Sequence, residues 1–181
     1  LDLSTTHEAY SSLYQLLSWL LLETEQYERA YNFARYYEEQ TSHTVYSLFS
    51  MGNRFLAAKQ FQYAENAYQF YKESTNLSTR YRSYDELSNT YLQWGNYAEQ
   101  NNLTPADSIR TLYQKSYNNA EELIEQNAEY EQADRVLSRL AELSLDIFKN
   151  RDSAARWFQT LQKISGSDDP YSLYTEGRIA I

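Results

Sequence analysis

Apolar side chains recur along this chain at the three- and four-residue spacing of helices. The stretch Ile109, Leu112, Tyr113, Ser116, Ala120, Leu123 and Ile124 reads as one face of a long helix, with Thr104 as its N-cap and Pro105 in its first turn. Leu137, Leu140, Ala141 and Leu145 mark a second helix, and residues 150–164 carry Ala154, Phe158 and Leu161 on the inner face of the next. Near the start, Leu13, Leu16, Leu17, Trp19, Leu20, Leu21 and Leu22 make a helix that is apolar nearly all round, which expects burial on every side. Gly52 sits inside an otherwise helical stretch, where glycine costs roughly 1 kcal/mol relative to alanine. A close approach by another helix would explain it.

The predicted helices come in pairs with a fixed period. ETEQYERAYNFARYY (23–37) aligns with AKQFQYAENAYQFY (58–71), placing Tyr27 on Phe61 and Ala30 on Ala64, 34 residues later. Leu17-Ser18 falls on Met51-Gly52 and Leu21 on Phe55 at the same offset. DELSNTYLQWGNY (85–97) supplies a third copy, with Leu87-Ser88 displaced by 36 residues. Two helices per unit at such a period are the mark of a helical solenoid.

These residues resemble the tetratricopeptide repeat, a 34-residue helix–turn–helix. Its small and aromatic positions are matched best by Gly52, Phe55, Ala64 and Tyr68, with Phe61 at the aromatic of the turn. The first repeat has Ser18, Leu21, Ala30 and Ala34 in those places. The third has a clear first helix over 81–95, then YAEQNNL before TPAD, so its second helix starts late and runs long. The fourth fits if one residue is inserted in its turn. The resemblance implies an all-α fold, a right-handed α-α superhelix of about four repeats (approximately 11–44, 45–80, 81–126 and 130–165) in a single domain. GSDDP (166–170) then breaks the chain, and an extra helix opens at about 169, with Gly177 at its small position. The chain reads as a segment of a longer protein, with a solvating cap as the alternative. Ser18, Ser88 and Ala141 occupy the slot of Gly52 elsewhere, so alanine or serine should be tolerated there.

Composition narrows the function classes. A net charge of −9 argues against a nucleic-acid surface, which needs clustered Lys and Arg. The most apolar run, LLSWLLL (16–22), is far shorter than a membrane span. Zero cysteines exclude disulfides and thiolate metal sites, and leave the compartment open between cytosol and periplasm. His7 and His43 have no partner at metal-ligand spacing, Glu121, Glu122 and Glu125 read as a solvated face, and the four glycines are scattered singly, so no phosphate loop forms. No enzymatic role, cofactor or metal is expected. Most of the 19 tyrosines are expected to pack between helices, with a remainder at the surface.

The resemblance also implies where a partner binds. The first helix of each repeat lines a concave groove that holds a protein or peptide. In the second repeat this gives Tyr46, Phe49 and Asn53; in the third, Arg82, Asp85 and Asn89; in the fourth, Arg135, Arg139 and Glu142. Asn53 and Asn89 could pair with the backbone of an extended peptide, since asparagine both donates and accepts. The family's carboxylate-clamp subgroup needs a lysine where Phe49 and Asp85 stand, so a chaperone-tail partner is not expected. Leu16, Trp19 and Leu22 fall at groove positions of the first repeat, to be covered by an upstream helix, by the partner, or by a second copy in a homodimer. The expected role is a non-catalytic protein–protein interaction scaffold. The alternative is a sensory or regulatory segment of a larger multidomain regulator.

Overall fold

The computed structural model describes residues 3–40, 47–166 and 170–179. His43, Tyr46 and the expected boundary between the first two repeats lie outside the described residues, as does Asp169. Among the described residues the chain is all helical: α1 (Leu3–Glu23), α2 (Tyr27–Gln40), α3 (Ser47–Ala57), α4 (Phe61–Gln69), α5 (Leu77–Gln100), α6 (Ala106–Gln126), α7 (Ala133–Glu142), α8 (Arg151–Ser165) and α9 (Pro170–Ile179), with a π-helical turn at Leu143–Ile147 between α7 and α8. The helices belong to two compact units, Leu1–Glu73 and Ser74–Ile181.

Four residues in the left-handed region make the turns that reverse the chain within each helix pair: Glu25, Lys59, Asn102 and Lys149, with φ between 51° and 60°. The first three turns close in one way. The Glu25 N–H donates to the Leu22 carbonyl at 3.0 Å and the Gln26 N–H to that of Leu21 at 2.8 Å. Thirty-four residues later, Lys59 and Gln60 bond Leu56 and Phe55 at the same distances, and Asn102 and Leu103 bond Glu99 and Ala98 at 3.2 and 3.0 Å. This double closure satisfies carbonyls left over at a helix end. The fourth turn is one residue wider. The Phe148 N–H bonds the Leu143 carbonyl at 3.0 Å, and the Asn150 N–H reaches back to Ser144 at 2.8 Å. A π-turn accommodates one extra residue, so the additional residue expected in the turn before α8 lies here.

In the first unit α1 packs on α2, α2 on α3, and α3 on α4. Aromatic rings fill the seams. Tyr14 of α1 stacks on Phe33 and Tyr37 of α2, with centroids 4.6 and 4.4 Å apart. Tyr27 meets Phe55 edge-on at 6.5 Å, and Phe55 meets Tyr63 at 5.5 Å. The fully buried Glu38 of α2 accepts the Leu48 N–H at 3.3 Å, satisfying a free donor at the start of α3.

Gly52 lies buried against α4. A Cβ built there would sit 2.7 Å from two ring carbons of Tyr68. Tyr68 is fully buried, and its hydroxyl donates to the Asn53 Oδ1 at 2.6 Å. The same device recurs in the second unit: a Cβ at Gly95 would lie 2.8 Å from the Tyr113 ring, whose hydroxyl donates to the Asn96 Oδ1 and the Glu99 Oε2, both at 2.9 Å. A Gly-Asn pair on one helix thus holds a tyrosine of the next by face and by hydroxyl.

In the second unit α5 and α6 form the longest pair. Ser88 lies on the α6-facing stripe, seven residues before Gly95; its carbonyl accepts from the Ser116 Oγ at 2.7 Å. α5 exceeds the expected 81–95 at both ends. It starts at Leu77 because the Asn76 side chain caps it, accepting the Thr79 N–H at 3.1 Å. It runs on to Gln100 because Gly95 and the fully buried Ala98 continue the stripe. α6 is late and long as expected, although Thr104 makes no capping bond and Pro105 stands at the cap. Leu123, Val136, Leu137, Leu140, Ala141 and Leu161 form the core between α6, α7 and α8. On α8 the buried aromatic is Trp157 rather than Phe158, because its indole N–H finds the Tyr117 hydroxyl at 2.9 Å.

A Cβ at 52 would force the buried Tyr68 ring, packed on Phe49 and bonded to Asn53, to move, so alanine is not expected to be a neutral replacement for Gly52, against the sequence expectation. Helix propensity favours Gly52→Ala by about 1 kcal/mol, but overpacking costs about 1–3 kcal/mol. A net loss of up to about 2 kcal/mol should appear as a lower urea midpoint, and Gly95→Ala should behave alike. A raised midpoint would mean the ring yields.

Candidate functional site

The resemblance implied a partner groove on the first helix of each pair, and the structure distributes those residues unevenly. Phe49 is 5% exposed and packs on Tyr68 and Tyr71 at 5.1 and 5.5 Å. Asn53 is exposed, with its Oδ1 held by Tyr68. Arg82 is exposed at the start of α5. Asn89 is half-buried and accepts from the Gln93 side chain at 3.2 Å. Glu142 is half-buried and accepts from the Ser138 hydroxyl, which also meets Thr175 of α9 at 3.1 Å.

Three of the predicted residues come together in the second unit. Asp85 of α5 is 1% exposed, and one carboxylate oxygen accepts from the Arg135 Nη2 of α7 at 2.5 Å. The other accepts from the buried Arg139 Nη1 at 3.2 Å, and the same nitrogen also reaches the Asp85 carbonyl at 3.3 Å. The Tyr130 hydroxyl adds a bond at 3.3 Å. Spacing explains the arrangement: Arg135 and Arg139 are four apart on α7, so they leave the helix on one face. Burial pushes the Arg139 guanidinium below its ordinary value, and Asp85 opposes that shift. Burial, and then the Asp85 charge, push the adjacent Glu86 carboxyl up. This network fastens α5 to α7, and its charges face one another.

Trp19, the predicted residue of the first helix, is exposed with its neighbours. Leu13, Leu16, Leu17, Trp19 and Leu20 of α1, with Tyr36 of α2, are between 37 and 57% exposed. An open groove of about 480 Å³ runs between the two helices, lined by Leu17, Leu20, Leu21, Phe33 and Tyr36, with Arg29 and Asn32 at its polar side. Arg29 donates to the Gln26 side chain. Sequence reasoning found the α1 wall from its lack of polar positions. It missed the α2 wall, where Phe33 and Tyr36 are three apart, because the repeat pattern assigns the second helix to the interior.

Among the described residues no cluster of His, Asp or Glu is placed to hold a metal ion, and no helix is long and apolar enough to cross a membrane. No protein-family model matches this chain, and no curated protein matches it.

Two outcomes follow from the Asp85 network. Asp85→Asn leaves the Arg139 guanidinium buried without a counter-charge and should cost about 3–5 kcal/mol in urea unfolding, whereas the paired change Asp85→Leu with Arg139→Met should cost far less. Glu86 carries a raised carboxyl, so the folded chain holds its proton more tightly than the unfolded one. Its contribution to stability is therefore present at low pH and is lost as pH rises above the ordinary carboxyl value. Glu86→Gln should flatten that part of the stability–pH profile, and an unchanged slope would refute the assignment.

Proposed function

We propose that this chain is a helical-repeat module of the tetratricopeptide type, a non-catalytic scaffold that engages a protein through the apolar face of α1 and α2. Two features support the repeat reading: the 34-residue recurrence of the left-handed turn at Glu25 and Lys59, and the recurrence of the Gly–Tyr contact in both units. The interaction reading is carried by one observation, the contiguous exposed surface of Leu13, Leu16, Trp19, Leu20 and Tyr36 around the α1–α2 groove. Single exposed leucines are ordinary, but a continuous apolar face rimmed by polar groups marks a binding surface. Its shape suits the apolar side of a helix, which docks through side chains three and four residues apart. Arg29 at the rim would meet an acidic group on that helix.

The test is site-specific photocrosslinking from Leu20 in the organism that makes the protein. A discrete heterologous adduct that disappears with Leu17→Glu is expected. An adduct with the chain itself, matched by a dimer in light scattering that Trp19→Glu dissociates, would assign the face to a second copy instead. Absence of any adduct would overturn the reading.

A further inference from the structure

The fourth turn departs from its relatives in a way that the packing of the repeats does not require. In the first two turns the residue that opens the second helix is an aromatic: Tyr27, which meets Phe55, and Phe61, which is buried. Tyr27 reaches across to α3 of the following pair, and Phe61 is buried at the start of α4. In the fourth turn the residue after the N-cap is Arg151, exposed to solvent, and the left-handed residue before it is Lys149, also exposed. Neither has an ion-pair partner among the described residues. Both stand on a rigid support, because the wide closure from Asn150 to Ser144 pins the backbone and the Asn150 Oδ1 caps α8 through the Ser153 N–H at 3.0 Å.

The extra residue of this turn coincides with a cavity of about 390 Å³ lined by Leu145, Asp146, Lys149, Arg151 and Arg178. Arg178 comes from α9 and is held in place: one guanidinium nitrogen donates to Asp146 at 2.5 Å, the other to the Tyr174 hydroxyl at 2.9 Å. One carboxylate therefore faces three cations, in a chain whose net charge is −9. Two cations on a fixed turn beside a preoriented guanidinium fit carboxylates, which accept from such donors in a charge-assisted and often bidentate way. Leu145 supplies an apolar wall for the methylenes of an acidic side chain.

We propose that Lys149, Arg151 and Arg178 form a docking site for an acidic segment of a partner protein. The site extends the interaction reading, but rests on residues of the second unit and not on the α1 face. Its occupant must be drawn in locally, since the chain as a whole repels polyanions.

Labelled hexaglutamate and hexaglutamine peptides test this by fluorescence anisotropy on the full chain. The wild type should bind hexaglutamate, weaken as salt is raised, and ignore hexaglutamine. The double change Lys149→Ala with Arg151→Ala should weaken binding by about tenfold or more, as expected when rim and pocket charges are removed from an electrostatic contact. Both residues are exposed, and circular dichroism should report an unchanged melting temperature. Leu20→Glu should leave hexaglutamate binding intact, so failure here and failure at the α1 face are distinguishable. Equal binding by the double variant, or no salt-sensitive binding by the wild type, would overturn the proposal. Displacement of the peptide by inorganic phosphate at equal concentration would also overturn it, by showing a general oxyanion site.

Discussion

In two of the helix pairs a tyrosine ring lies directly on a glycine. Ring carbons of Tyr68 sit where the Cβ of any other residue at 52 would have to be, and those of Tyr113 do the same at Gly95. Each ring is fixed at its far end by a hydroxyl bond to the asparagine that follows the glycine. The pair is thus specified twice, by shape and by a polar group that must find a partner when buried. A smaller ring would leave a void, and a side chain on the glycine would push the helices apart. This explains how a chain poor in leucine and isoleucine across α2 to α5 still builds a core. Its tyrosines supply apolar area in the seam while their hydroxyls reach polar partners at the edge.

The second constraint acts between helix pairs. Asp85, Arg135, Arg139 and Tyr130 are polar groups in a place where packing alone would favour apolar ones. Removing such charges from water is costly, and their mutual attraction must offset it. The gain is in specificity of position: only one register of α7 on α5 brings both guanidinium groups to the two oxygens of one carboxylate. The raised carboxyls of Glu86 and Glu142 belong to the same region, each pushed up first by burial. In this unit the first helices of successive pairs therefore hold each other through their polar faces.

Much of the fold was legible in the sequence because it is local. Helix pairs, the 34-residue offset between the first two turns, the late and long α6 and the inserted residue before α8 all follow from spacing and small-residue positions, but the third copy was misregistered: Gly95, not Ser88, takes the place of Gly52. What escaped depends on which of two adjacent residues turns inward and on how near a neighbour comes. Trp157 displaced Phe158 through a bond to Tyr117, which lies 40 residues away in sequence. The extension of α5 needed knowledge that Ala98 meets α6. Tolerance of alanine at Gly52 depended on the depth of the Tyr68 ring, and a slot that holds serine or alanine elsewhere gave no warning of it. The groove residues were legible as helix-face positions, but position alone does not separate a side chain that faces a ligand from one that faces the next helix. Asp85, Arg135 and Arg139 share a face and are charged, and their partners are one another.

That separation decides where interaction can occur. A helical chain can present to a partner only the groups that its own helices leave unmatched. In the first unit the aromatic seam and the Glu38 bond use the inward groups of α2 to α4, while α1 keeps leucines and a tryptophan on a side with no described neighbour. In the second, the cluster of Asp85 takes the charges of α5 and α7, while the fourth turn carries the exposed Arg151 where the first two turns carry the rings of Tyr27 and Phe61, with the exposed Lys149 beside it. Both places cost the isolated chain something: exposed apolar area in one, two cations without an ion-pair partner among the described residues in the other. Such costs are characteristic of surfaces that are completed by another molecule. The proposed contacts rest on these departures more than on the pattern the helix pairs share.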